Sequence, residues 1–149
     1  MTKSFLLKWL FLDFKKILND KLIEFTFLSV RVATALIMLF AHGTGKWTNF
    51  SNIAPNFPDP FGFLGSTVSL ALVVGSEVFG AILMALGLLT RWASFSLLFT
   101  MLVAAFIVHL PDPFKDKELA ILYALIFFFF TIKGGGKYSL DYILQKKLT

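Results

Sequence analysis

The chain has 149 residues, of which 57% are hydrophobic and 15% charged; ordinary globular domains carry about 45–50% apolar and about 25% charged residues. A domain of this length has too much surface to hide so much hydrocarbon in water, so a soluble protein is excluded. The absence of cysteine excludes disulfides, thiolate metal centres and a C-x-x-C redox pair, whatever the net charge of +5 means.

Residues 1–22 read as a basic N-terminal extension. Phe5, Leu6, Trp9, Leu10, Phe14, Ile17 and Leu18 recur mainly at three- and four-residue spacing among lysines. That pattern suits an amphipathic helix lying in the membrane interface. Lys8 and Asp13 interrupt it as a span, and no small-residue cleavage site follows, so the first span is expected to act as an uncleaved signal anchor.

Four apolar segments follow, over 23–142. The first runs from about Phe25 to Phe40 and less cleanly to Trp47, with Arg31 and His42 inside it. The second, Ser66 to Leu89, holds one charge, Glu77. The third runs from Trp92 to Leu110 and ends at His109, and the fourth from about Leu119 to Ile132. Crossing hydrocarbon takes about 20 helical residues; the second and third segments meet that length, and the first and fourth meet it with their flanks. The expected fold is all-α, a transmembrane four-helix bundle with a short C-terminal cytoplasmic helix and a basic tail over 143–149. The three residues Leu89-Thr90-Arg91 make the middle pair an antiparallel hairpin. The link from Thr48 to Phe63, rich in Pro and Phe, reads as a lid folded back on the bundle mouth.

Cytoplasmic loops collect Lys and Arg. Four spans place ten of the 14 basic residues on the side of both termini, three (Lys46, Lys115, Lys117) on the other, and Arg31 within the first span. Both termini are therefore expected in the cytoplasm. The positive charge then reflects topology and attraction to the lipid bilayer rather than nucleic acid.

Charges inside a membrane mark a function or a pairing. Arg31 and Glu77 are expected to meet in the bundle interior, either as an ion pair locking two helices or as a site whose glutamate exchanges a proton. At the outer mouth, His42 and His109 fall at similar depth with Lys46, Glu118 and Tyr123 nearby. Three readings stay open there: histidines bonded to carboxylates or backbone, a quinone or other small headgroup, or haem or metal. No ligand set singles out a metal, and no cofactor is expected within the chain itself beyond a quinone. On the inner face, Arg91 and Asp141 are expected to pair structurally. Gly134-Gly135-Gly136-Lys137 lacks the spacing and preceding strand of a phosphate loop and reads as a helix stop in the left-handed conformation, after which Ser139 caps a last short helix.

These residues together resemble the DoxX family of small four-helix membrane proteins. The resemblance rests on Arg31, His42-Gly43 with Lys46, Glu77 with Gly80, Gly87-Leu88-Leu89-Thr90-Arg91, and Met101 with Ala104 and His109. It continues through Glu118 with Tyr123 to Gly134-Gly135-Gly136-Lys137-Tyr138-Ser139-Leu140-Asp141, and covers roughly 25–142. Some members resemble the membrane subunit of a thiosulfate:quinone oxidoreductase, and others are linked to oxidative-stress complexes. The resemblance therefore implies a subunit, in the inner membrane of a bacterium, of a larger, quinone-linked redox complex, with the chemistry on another chain. The N-terminal stretch extends beyond the family core and is a candidate docking surface for partner subunits. The rival expectation is a structural or assembly subunit with no site of its own. A small transporter is the weaker third class, since no helix holds a proline or an unwound centre.

Overall fold

A computed structural model describes residues 19–148, and these are all-α with no strand. The amphipathic helix expected before residue 19 lies outside the described residues. Asn19 accepts the Leu22 N–H at 2.8 Å and opens α1 (Asp20–Thr48), with Asp20 in its first turn; a side-chain oxygen and a carboxylate there satisfy orphan donors and suit the helix dipole. At 29 residues α1 is about 43 Å long, more than a bilayer core needs. A short helix α2 (Phe50–Ile53) and a 3-10 turn (Ala54–Asn56) fold the outer link back, so that Ala54 packs with Leu70 and Val74. Then come α3 (Ser66–Leu86), α4 (Thr90–Val108), α5 (Phe114–Lys133) and α6 (Leu140–Leu148).

Among the described residues three helices, α1, α3 and α4, are long and apolar enough to cross a membrane. The helix α5 has 20 residues but spends its first turns on Lys115, Asp116, Lys117 and Glu118. It packs lengthwise along α4 and sends Tyr123, Ala124, Phe127 and Phe130 into the core, where they meet Met38, Met84 and Leu97. The outward sides of these helices carry exposed Phe, Leu and Ile, which suits lipid as the solvent.

The α3–α4 hairpin is set by Gly87. Its N–H bonds to Met84 O, the Leu88 N–H bonds to Leu83 O, and Gly87 has φ +69°, the double bond pattern that ends a helix with a left-handed residue.

Asp141 closes the end of the bundle at the α3–α4 turn. Its carboxylate accepts from the N–H groups of Leu89 (2.7 Å) and Thr90 (2.8 Å) and from the Thr90 hydroxyl (2.7 Å). It caps α4 from another helix, and the expected Arg91–Asp141 pair is not formed. Arg91 instead donates to Thr131 O at 3.4 Å. The first N–H groups of α4 have no partner within the helix, and the Asp141 carboxylate supplies one.

The glycine-rich turn differs from expectation too. Gly134 has φ +77° and ψ −166°, so it is glycine-specific yet extended rather than left-handed helical. The turn does cradle an anion, but the anion is the chain's own: Glu24 Oε2 accepts the Lys137 N–H at 2.9 Å. Ser139 caps α6 as expected, accepting from the Tyr142 N–H at 3.2 Å, and residues 143–148 continue that helix.

Candidate functional site at the outer mouth

Each of the three long helices contains one π-helical turn: Leu39–Gly43 in α1, Gly75–Gly80 in α3 and Ala104–Val108 in α4. Such turns re-aim side chains and cluster at functional sites. Here they carry His42 and Glu77 and lead into His109, the residue that ends α4. Among the described residues the π turns leave all three long helices continuous.

Between α1, α3, α4 and α5 lies a cavity of about 400 Å³. His42 and Lys46, one turn apart, line it from α1, Glu77 from α3, and Asp116, Ala120 and Tyr123 from α5; His109 borders it at the outer end of α4. Most of the remaining wall is apolar, including Leu72, Val73, Phe99, Val103 and the loop residues Phe57, Pro60 and Phe61.

The charged centre of this cavity is the pair Lys46–Glu77, Nζ to Oε2 at 2.7 Å, with side chains 26% and 4% exposed. The expected Arg31–Glu77 pair is not formed. Two close approaches explain why. A side-chain carbon on Gly43 would come within 2.8 Å of Glu77 O, so α1 meets α3 at Gly43. One on Gly87 would overlap Arg31 Nη1, so Arg31 stands level with Gly87, about 15 Å further down α3. Helix α1 runs on past Arg31 to Asp20, whereas α3 ends at Leu86, beside the Arg31 guanidinium. Arg31 is buried, donates from Nη2 to Tyr138 O at 2.8 Å and lies within the field of Asp141, so it belongs to the seal beside the α3–α4 turn.

His42 and Tyr123 meet edge to face, ring centroids 5.7 Å apart. His109 Nδ1 lies 2.7 Å from Asp112 Oδ2, both side chains more than 40% exposed, so this pair orients the ring at the rim and stabilises little. Glu118 is exposed and does not line the cavity; Asp116 takes its place. On a helix, positions 116, 120 and 123 share a face, and 118 lies on the other side. That spacing was a signal in the sequence, as was the four-residue step from His42 to Lys46.

Over the cavity runs the segment from Phe57 to Gly65. Asp59 organises it, accepting from the N–H groups of Phe61 (3.2 Å) and Gly65 (2.8 Å), with Ser69 Oγ at 3.4 Å. The Gly65 bond foremost holds the Asp59 carboxyl below the usual carboxylate range. Phe61 stacks on Phe99, centroids 6.4 Å apart at 15°.

The model of the DoxX family matches residues 26–110, more than half of the chain. The chain belongs to the DoxX family. Two Haemophilus influenzae proteins, both described as uncharacterized, are similar: one is 35% identical over 81% of this chain and 90% of its own length. The other is 28% identical over 72% of this chain and 76% of its own. No solved structure matches. The DoxX match takes in Arg31, His42, Lys46, Glu77 and His109, while Asp116, Tyr123 and Asp141 lie beyond it. The membrane character of a DoxX protein agrees with three helices able to cross a bilayer, and makes this a multi-pass membrane protein.

Proposed function

We propose that this DoxX protein spans the cytoplasmic membrane of a bacterium four times, both termini inside, and works as a quinone-headgroup-binding subunit of a larger redox complex. The carrying observation is the Lys46–Glu77 pair inside a mostly apolar cavity of about 400 Å³. Ligand sites commonly combine apolar walls with a few placed polar groups at about this size. The residues fit a quinone head: Lys46 and Tyr123 offer donors, His42 a ring nitrogen of either role, and Glu77 an acceptor. A bound quinone supplies a carbonyl–hydroxyl redox couple in a water-poor setting. Lys46 and His42 would orient its oxygens, and Glu77 would take or hold a proton at its carboxylate. With no cysteine in the chain, any thiol chemistry belongs to a partner subunit.

Extraction from protein purified in gentle detergent tests this reading. About one quinone per chain is expected from the wild type and none from Glu77→Gln that keeps its helical circular dichroism. A second reading, an assembly subunit, draws on the fact that Lys46 and Glu77 already satisfy each other. Stoichiometric partner subunits without bound quinone would favour it.

A further inference from the structure

The segment 57–65 sits lower than a surface loop should. Its anchor on α4, Phe99, stands about 15 Å below His109 measured along the helix, and α4 is one of the helices able to cross the bilayer. Irregular backbone at membrane depth is tolerated only where it lines a cavity or is buried in protein, because lipid offers its polar groups no partner. Phe57, Pro60 and Leu64 meet that condition, half-buried against the cavity, while Gly62, Phe63 and Gly65 are exposed. Phe57, Pro58, Pro60, Phe61 and Leu64 line the cavity. Pro58 and Pro60 have no N–H to satisfy. The N–H groups of Phe57, Phe61, Gly62 and Gly65 are taken by Ala54 O, the Asp59 carboxylate, Asp59 O and the Asp59 carboxylate.

The wall beside it faces lipid. Leu72, Phe99 and Phe61 line the cavity and are also 60%, 52% and 41% exposed, so the rim at this level is hydrocarbon rather than charge. The charged rim, with Asp116 and His109, lies at the outer end. Gly62 and Gly65, both at positive φ, flank the tip of the strap, and its ring stack is its contact with Phe99.

We propose that the cavity is loaded sideways from the outer leaflet by a lipid-dissolved molecule with a small polar head and an apolar body. It passes between α3 and α4 beneath the strap as Phe61 swings off Phe99. The head then reaches Lys46 and Glu77 while the body stays against Leu72, Phe99 and the strap. This inference deepens the headgroup reading and rests on it for the identity of the head, though the route does not.

The cysteine-free chain permits a direct test in nanodiscs. A nitroxide on Phe61→Cys, a half-exposed position, should collide more often with oxygen dissolved in lipid than with an aqueous nickel complex. The reverse order overturns the sideways route, whether or not any quinone binds. In Phe61→Cys/Phe99→Cys joined by a short bis-maleimide, stopped-flow quenching of tryptophan emission by decylubiquinone should slow by about tenfold or more, since binding then loses its conformational step. Unchanged uptake by the bridged protein also overturns the route. Absence of decylubiquinone binding to the unbridged protein would count against the quinone headgroup, and the nitroxide result then decides the route alone.

Discussion

At the scale of single residues, the outer cavity turns on one hydrogen-bonded ion pair. Removing one partner of a buried pair leaves a charge without compensation, which costs about 3–5 kcal/mol; replacing both by apolar groups is often neutral or stabilising. Lys46 keeps a quarter of its side chain exposed, so Glu77→Leu should cost about 3 kcal/mol, at the low end of that range. Lys46→Met/Glu77→Leu should recover most of the loss. Thermal unfolding in one detergent reads both, and a double variant as unstable as the single would show that the pair is not the source. The identities of Lys46 and Glu77 were legible in the sequence as intramembrane charges, but their partnership was not. Pairing depends on how far two helices slide past each other, and that offset is set by Gly43 against the Glu77 backbone and Gly87 against Arg31.

At the scale of elements, two carboxylates hold segments that hydrophobic packing alone would leave loose. Asp141 caps α4 with three hydrogen bonds. Loss of a cap costs about 0.5–2 kcal/mol, and Asp141→Ala should approach the upper figure because two backbone donors lose their partner together. Hydrogen exchange should rise at Leu89 and Thr90 before it rises elsewhere in α4. Asp59 does the same for the strap. Its carboxyl is held below the ordinary range, so its stabilisation is complete at pH values above the unfolded-state pKa and fades as pH falls through the lowered native one. The nitroxide on Phe61→Cys should therefore gain mobility only in acid, and in Asp59→Asn at neutral pH as well; a wild-type strap equally mobile at neutral and acid pH would contradict this. Helices and their approximate limits were readable from apolar runs, and so was the folding back of the Phe- and Pro-rich link. The π turns were not, since an extra residue in a helical turn leaves no mark on hydropathy.

At the scale of the whole molecule, the number of crossings turns on α5, whose charged first turns leave a shorter apolar stretch than α1, α3 or α4. The excess of Lys and Arg on one side argues for four crossings. A membrane-impermeant maleimide on intact cells should label Asn56→Cys at once and Lys147→Cys only after permeabilisation. Both positions are exposed. Labelling of Lys147→Cys from outside would leave three crossings and put the C-terminus with the outer loop. Composition fixed the solvent of this protein early, because no arrangement of so few charged residues covers so much hydrocarbon. Which polar groups share a cavity needed the packed helices, as the exchange of Glu118 for Asp116 illustrates.

The seal beside the α3–α4 turn has a consequence for how the protein is made. Its parts are Arg31 on Tyr138 O, Asp141 on the start of α4, the Asp141 N–H on Gly87 O and Glu24 on the Lys137 N–H. Every one of these contacts joins a residue of the stretch 137–141 to one more than 50 positions before it. The helices can enter the bilayer as they emerge, but this end of the bundle stays unlatched until residues 137–141 have been made, so that stretch closes the assembly.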